Sequence, residues 1–152
     1  MSKVTPLDLN QFLPYRLAQL SQLVSQDFAL LYQASEQLSV AQWRILANLA
    51  VEADLSAQHL CERAQLDKSK VSRALRELLE RGLVARVRDA QDSRANRHCL
   101  SEEGWQVYAK IAKRAKAWEK QRLSGLSEQE QQDLLELLNK VQLGVENSHG
   151  SL

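Results

Sequence analysis

The chain has 152 residues and a net charge of +1, with 44% hydrophobic and 26% charged residues, which is typical of a globular protein and argues against a disordered or fibrous chain. Five glycines and two prolines are too few for the many tight turns of an all-β fold, and no apolar run reaches the roughly 18 residues of a membrane span. Because Cys61 and Cys99 make no disulfide framework and the N-terminus lacks a signal pattern, we expect one cytoplasmic domain, residues 1–152.

The first predicted element is a long helix over residues 12–37. Six apolar residues recur there at spacings of three and four, which places them on one face of a helix. Pro14 is compatible with the first helical turn, because its missing N–H is not needed there. Ser39 and Gln42 then form a capping-box pattern that starts a second helix, and Ser56 is predicted to cap a third, short one.

A further helix begins after Asp67, whose carboxylate suits both the free N–H groups and the positive end of a helix start. Apolar residues at i, i+3, i+4, i+7 and i+8 give this helix one buried face. Gly82 is predicted to end it, because glycine readily takes the left-handed conformation. The residues of the buried face are Val71, Ala74, Leu75, Leu78 and Leu79.

A β-hairpin is predicted next. Residues 83–88 are short and β-prone, residues 97–100 are predicted to form the returning strand, and a polar turn joins them. Ser101 then caps a long helix over 102–122, and a second capping box starts a last helix over 128–146. The chain is therefore predicted to be mainly α-helical, with one small β-hairpin.

Positive charge is concentrated in the basic helix and the hairpin. Between Lys68 and His98 there are nine lysines and arginines but four acidic residues, a local net charge of +5. Such a segment either attracts a polyanion or forms a solvated helix face. The order of helix, short helix, basic helix and hairpin is that of a winged helix-turn-helix. We therefore expect a DNA-binding lobe over residues 39–101.

In this arrangement the basic helix enters the major groove of DNA, where its N-terminal side chains reach base edges. A serine hydroxyl donates or accepts a hydrogen bond, and an arginine guanidinium forks onto guanine or grips a phosphate. Arg94, at the hairpin tip, is expected to enter a narrow minor groove, where the negative potential is enhanced. The predicted DNA-contacting residues are Lys68, Ser69, Lys70, Ser72, Arg73, Arg76, Arg94 and Arg97.

Two correctly spaced motifs resemble the MarR family of transcriptional regulators. The first is similar to the recognition helix and first wing strand of that family, and the second to its wing signature, with serine where threonine is usual. The resemblance extends over nearly the whole chain, since long helices flank the module in both. The motifs are Asp67-x-Ser69-x-Val71-Ser72-Arg73-x-Leu75-x-x-Leu78-x-x-x-Gly82-Leu83-Val84-x-Arg86 and Asp92-x-Arg94-x5-Leu100-Ser101-x-x-Gly104.

The resemblance implies a homodimer in which the helices of residues 12–37 and 102–146 intertwine. The apolar stripes of these helices are also too broad for one small module to cover, which favours an interface. A two-fold dimer places its recognition helices about 34–36 Å apart and requires a near-palindromic operator. Members of the family mostly repress transcription, and many release DNA when a small anionic or aromatic compound, or an oxidant, is sensed.

The resemblance also suggests roles for residues outside the basic helix. Arg86 and Asp92 are linked to wing structure in the family, and we expect an ion pair that braces the hairpin rather than base recognition. Such an exposed pair contributes only about 0–1 kcal/mol. The helices that carry the following residues line the effector cleft in relatives, so the resemblance also implies an effector site, where an aromatic patch with one arginine suits an aromatic carboxylate. Its candidate residues are Phe12, Tyr15, Arg16 and Trp43.

Other function classes find little support in the sequence. The chain contains no Gly-x-Ser-x-Gly, Cys-x-x-Cys, phosphate loop or His-Glu-x-x-His, so we expect no catalytic residue, no metal site and no cofactor. Cys61 shares a face with apolar residues and is expected in the core, while Cys99 lies in a wing strand. The alternative to DNA binding is a winged helix used as a protein-interaction or assembly module. The arginine and serine side chains of the helix after Asp67 argue against it.

Overall fold

A computed structural model describes residues 5–88 and 96–149 of the chain. Their contacts divide the protein into two compact units, Met1–Ala115 and Lys116–Leu152. Within the described residues, no helix has both the length and the apolar character needed to cross a membrane. The elements are, in chain order, α1 Leu13–Glu36, α2 Val40–Val51, β1 Leu55–Ser56, α3 Ala57–Ala64, α4 Lys68–Glu80, β2 Val84–Arg88, β3 Asn96–Leu100, α5 Glu102–Arg122 and α6 Glu128–His149.

The helices begin where their capping residues predict. Ser39 accepts a hydrogen bond from the Gln42 backbone N–H at 3.2 Å, and its own N–H donates to the Gln42 side chain at 2.9 Å, which completes the capping box. Ser56 and Asp67 cap α3 and α4 by the same local chemistry. Gly82 follows α4 with a φ of +69°, a conformation that residues with a Cβ rarely adopt.

The core of the first unit lies between α2, α3 and α4 and includes the C-terminal part of α1. Ala29 and Tyr32 are the only buried residues of α1. The apolar stripe of α4 faces this core, as the spacing of three and four predicts. The largest fully buried side chains are Tyr32, Leu38, Ile45, Leu46, Leu49, Leu60, Val71, Leu78 and Ile111.

The predicted hairpin is part of a three-stranded antiparallel sheet with the strand order β1-β3-β2. β2 and β3 pair as the hairpin, with Arg86 opposite His98. The third strand, β1, pairs Leu55 with His98 and Ser56 with Arg97. The sequence did not predict β1, because two residues are too short to show the alternating pattern of a strand.

The second unit is a helical hairpin made of the end of α5 and α6. The Gln131 side chain donates to the carbonyl oxygens of Leu123 and Leu126 at 3.2 and 3.1 Å, and so fixes the turn between the helices. α6 extends to His149, slightly beyond the predicted end. Of its side chains that the structure describes, none is buried. The helix therefore leaves its apolar residues open to contact with another surface.

Candidate nucleic-acid interface

α4 has two chemically different faces. Val71 and Leu78 are completely buried on one face, and the charged and hydroxyl-bearing side chains lie on the other. Burial of the apolar face fixes the rotation of the helix about its axis, and so decides which side chains point outward. The predicted contact residues of α4 that are exposed are Lys68, Ser69, Lys70, Ser72, Arg73 and Arg76.

The start of α4 carries a local ion pair. Asp67 accepts from the Lys70 backbone N–H at 2.9 Å, and its other oxygen lies 3.3 Å from Lys70 Nζ. The backbone hydrogen bond is the main reason that the pKa of Asp67 lies below its usual value, and the charge of Lys70 acts in the same direction. The carboxylate thus stabilises the helix start and offsets part of the charge of Lys70.

A second ion pair lies one turn further along α4. Arg73 Nε donates to Glu77 Oε1 at 3.1 Å. The other carboxylate oxygen, Glu77 Oε2, accepts from the Gln42 side-chain amide at 2.7 Å. Gln42 is only 5% exposed and belongs to the capping box of α2. The exposed guanidinium is thereby connected, through Glu77, to the buried Gln42 in the first turn of α2.

The other end of α4 is attached to α1. Arg81 donates from Nη1 to the carbonyl oxygen of Gln37 at 3.0 Å and from Nη2 to that of Glu36 at 2.8 Å. These carbonyl groups end α1, where a positive charge interacts favourably with the helix dipole. Arg81 therefore connects the end of α4 to the end of α1.

The sheet and α4 enclose a groove of about 340 Å³, lined in part by Ser72, Arg76, Arg86 and His98. His98 is 4% exposed, and its Nδ1 lies 3.2 Å from the carbonyl oxygen of Leu55. Because a carbonyl only accepts, Nδ1 carries the proton. Burial lowers the pKa of His98, and the positive charge of Arg86 lowers it further. A neutral histidine thus supports the wall of a groove that bears two arginines.

Of the four hairpin residues with a predicted role, the structure describes two, Arg86 and Arg97. Arg86 is exposed on β2, but Asp92, its predicted partner, and Arg94 lie outside the described residues. Arg97 is half-buried, and its Nη1 donates to the carbonyl oxygen of Asp54 at 3.1 Å. Arg97 therefore connects β3 to the turn before β1, a structural role that the sequence did not indicate.

The predicted effector residues are not brought together within one chain. Trp43 stacks on Tyr108 with ring centroids 5.9 Å apart and also contacts Phe28 and Tyr32. Phe12, Tyr15 and Arg16 are exposed at the start of α1, roughly 20 Å along the helix from the end that meets Trp43. Burial raises the pKa of Tyr32 to about 12, so its phenol is neutral.

Two side-chain contacts of α4 and its C-terminal end have no signal in the sequence. Arg73 and Glu77 are four residues apart on one helix, and this spacing alone permits an ion pair. In contrast, no local pattern brings Gln42 to Glu77 or Arg81 to Glu36, because these partners are more than 30 residues apart. Only the packing of the helices against one another makes them neighbours.

Comparison with known proteins identifies the family to which the chain is similar. A family model described as the MarR family matches residues 36–95. A MarR-family transcriptional regulator from Silicibacter pomeroyi is 30% identical, over 88% of this chain and 90% of that one, with a TM-score of 0.74. The PcaV transcriptional regulator from Streptomyces coelicolor is 28% identical, over 91% and 96%, with a TM-score of 0.74. A MarR/EmrR family transcriptional regulator from Acinetobacter sp. ADP1 is 25% identical, over 93% and 99%, with a TM-score of 0.82.

The family match covers α2, α3, α4 and β2. The structural matches extend the likeness to about nine-tenths of the chain, which includes the flanking helices. These findings confirm the resemblance that the two sequence motifs carry and the predicted winged helix-turn-helix fold. The chain belongs to the MarR family of transcriptional regulators.

Proposed function

We propose that this regulator binds a near-palindromic DNA operator as a homodimer and represses transcription from it. The observation that carries the proposal is the exposed face of α4, where six basic or hydroxyl-bearing side chains are available to DNA. A helix with this face fits the major groove, and its serines and arginines have the chemistry to read base edges. Lys68 and Arg97 are proposed to contact phosphates, which position the protein without specifying sequence.

The homodimer is proposed from apolar faces that each unit leaves exposed. In the first unit, Leu20, Leu23 and Leu30 share one face of α1 and are 55%, 64% and 70% exposed. In the second, Leu137 and Val145 share one face of α6 and are 58% and 55% exposed. Exposed apolar area of this extent usually marks an interface. Two-fold symmetry then presents two recognition helices to DNA about one helical turn apart.

Selection of bound sequences from a random duplex pool tests operator recognition, and sedimentation equilibrium tests the homodimer. We expect an inverted repeat whose half-sites are spaced by about 10 base pairs, and sedimentation equilibrium should give a dimer. Leu137→Glu should shift the protein toward monomer and weaken operator binding. Leu143→Glu serves as the matched control, because Leu143 is 56% exposed and lies on the opposite side of α6 from the face of Leu137 and Val145. A protein that is monomeric, or that prefers no duplex at low salt, would instead be an interaction module of another kind.

Repression and its release require a promoter and an effector. The PcaV structure is a complex with that protein's natural ligand, and we propose that a small aromatic or anionic compound releases this regulator from DNA. Phe12, Tyr15, Arg16 and Trp43 are the candidate contacts. Because they lie far apart within one chain, the proposed site needs residues from both protomers of the proposed homodimer. A reporter gene behind the selected operator should be silenced by the wild-type protein. Screening aromatic carboxylates for operator release, and then testing Arg16→Ala and Trp43→Ala, checks the site, because unchanged release by both variants contradicts it.

A further inference from the structure

Hydrogen bonds connect the exposed Arg73 through Glu77 to the buried Gln42. We propose that Glu77, held by Gln42, is a positioning residue that orients the Arg73 guanidinium for operator recognition before DNA arrives. The inference rests on the proposed function, because it assigns Arg73 to a base edge. It adds two residues, neither of which needs to contact DNA, to the determinants of sequence preference.

The geometry leaves the useful part of Arg73 available. The contact with Glu77 uses Nε, at 3.1 Å from Oε1, so the N–H donors of both Nη groups are not engaged by that bond. The Arg73 side chain is 77% exposed. Its planar fork is therefore anchored along one edge and open along the edge that forms two parallel hydrogen bonds with a base.

Glu77 differs from an ordinary surface partner because its own position is fixed. The Glu77 side chain is 36% exposed, and its second oxygen accepts from Gln42 Nε2 at 2.7 Å. The amide oxygen of Gln42 in turn accepts from the Ser39 backbone N–H at 2.9 Å. Both ends of the Gln42 amide are thus occupied, so the carboxylate is held against the start of α2 rather than left to rotate.

This arrangement has opposite effects on general and on sequence-specific affinity. The negative charge of Glu77 weakens attraction to any polyanion. A long side chain that is already ordered, however, loses less conformational entropy on binding. Removal of the support should therefore reduce the preference for the operator, even where overall affinity for DNA rises. An electrostatic role alone predicts tighter binding to every duplex with the preference unchanged.

Three variants separate these outcomes in the full-length protein. Glu77→Gln removes the charge, and Gln42→Met releases the carboxylate without changing any charge at the DNA-facing surface. Ser39→Ala is the matched control, since it weakens the cap of α2 but leaves the amide-to-carboxylate bond in place. Affinity is measured for the selected operator and for the operator altered at the base pair that Arg73→Ala identifies, and thermal melting verifies that each variant is folded.

We expect Glu77→Gln and Gln42→Met to lower the operator preference about three- to tenfold, and Ser39→Ala to retain it. In an Arg73→Ala background, Gln42→Met should have no further effect on the preference. Nitrogen-15 relaxation of Arg73 Nε in the free protein should show an ordered side chain in the wild type and in Ser39→Ala, and a mobile one in the other two variants.

The two readouts distinguish failure of this inference from failure of the proposed function. An Arg73 Nε that stays equally ordered in Gln42→Met, or an unchanged operator preference in both test variants, overturns the positioning role. If the wild-type protein prefers no operator, the proposed function fails instead, and the relaxation data still report whether Glu77 orders Arg73.

Discussion

Gly104, in the first turn of α5, packs directly against the backbone of Leu83, the residue before β2. A β-carbon added at Gly104 would lie 2.0 Å from the Leu83 carbonyl oxygen. The same carbonyl accepts from the Ser101 backbone N–H at 3.1 Å, and Ser101 Oγ donates to the Gly82 carbonyl oxygen at 2.6 Å. The start of α5 is thereby held against the junction between the recognition helix and the sheet.

Gly104→Ala should lower the free energy of unfolding by about 1–3 kcal/mol, because backbone rather than a flexible side chain must move to admit the methyl group. Urea denaturation measures the effect. Gly125→Ala is the matched control, since nothing lies within 4 Å of a β-carbon at Gly125. Equal stabilities for the two variants would contradict the close approach of Gly104 to Leu83.

Arg81→Ala should lower the free energy of unfolding by about 1–2 kcal/mol, because two carbonyl groups at the end of α1 lose a charged donor. Arg81→Lys should recover part of this loss, since an ammonium group keeps the charge but not the fork. Arg76→Ala, which removes an exposed cation from the same helix, should change stability by less than about 0.5 kcal/mol. Thermal and chemical denaturation check the order of the three variants.

His98 should make the protein less stable in mild acid. Its pKa in the folded chain lies below the ordinary value of 6.5, chiefly because the ring is buried. The unfolded chain then binds the proton at higher pH than the folded chain does, so the free energy of unfolding falls as the pH drops below 6.5 and levels off below the folded pKa.

Denaturation curves between about pH 7.5 and 5 measure this slope. The variant His98→Asn should show a flatter dependence over the same range, because it removes the titrating group while an amide can still donate to the Leu55 carbonyl. Identical slopes for the wild type and the variant would show that His98 does not carry the effect.

Arg73 and Lys68 should affect operator binding in different ways. Arg73→Ala should cost about 1–3 kcal/mol of binding free energy and alter the preference at one base-pair position, as expected for a side chain that reads a base. Lys68→Ala should weaken binding to all sequences and reduce the slope of log affinity against log salt by about one. Titrations of operator and altered operator at several salt concentrations distinguish the two patterns. If both variants showed the same pattern, the assignment of Arg73 to a base and Lys68 to a phosphate would be wrong.

Local features of this protein were readable from the sequence because they depend on neighbours three or four residues away. The caps at Ser39 and Asp67, the buried stripe of α4 and the left-handed Gly82 belong to this class. The exposed basic face follows from the same periodicity, since the position of the apolar stripe determines where the charged side chains must lie.

Contacts between segments that are distant along the chain arise from the packing of the folded protein. β1 gains its partner from β3, Gln42 reaches Glu77, and Arg81 reaches Glu36, although each pair is more than 30 residues apart. Such contacts depend on how helices and strands pack around a shared core, and a pattern of spacing within one element carries no information about that packing. The helices, the hairpin and the chemistry of the exposed face could therefore be predicted from the sequence, while β1 and the contacts that hold the arginines depend on the fold.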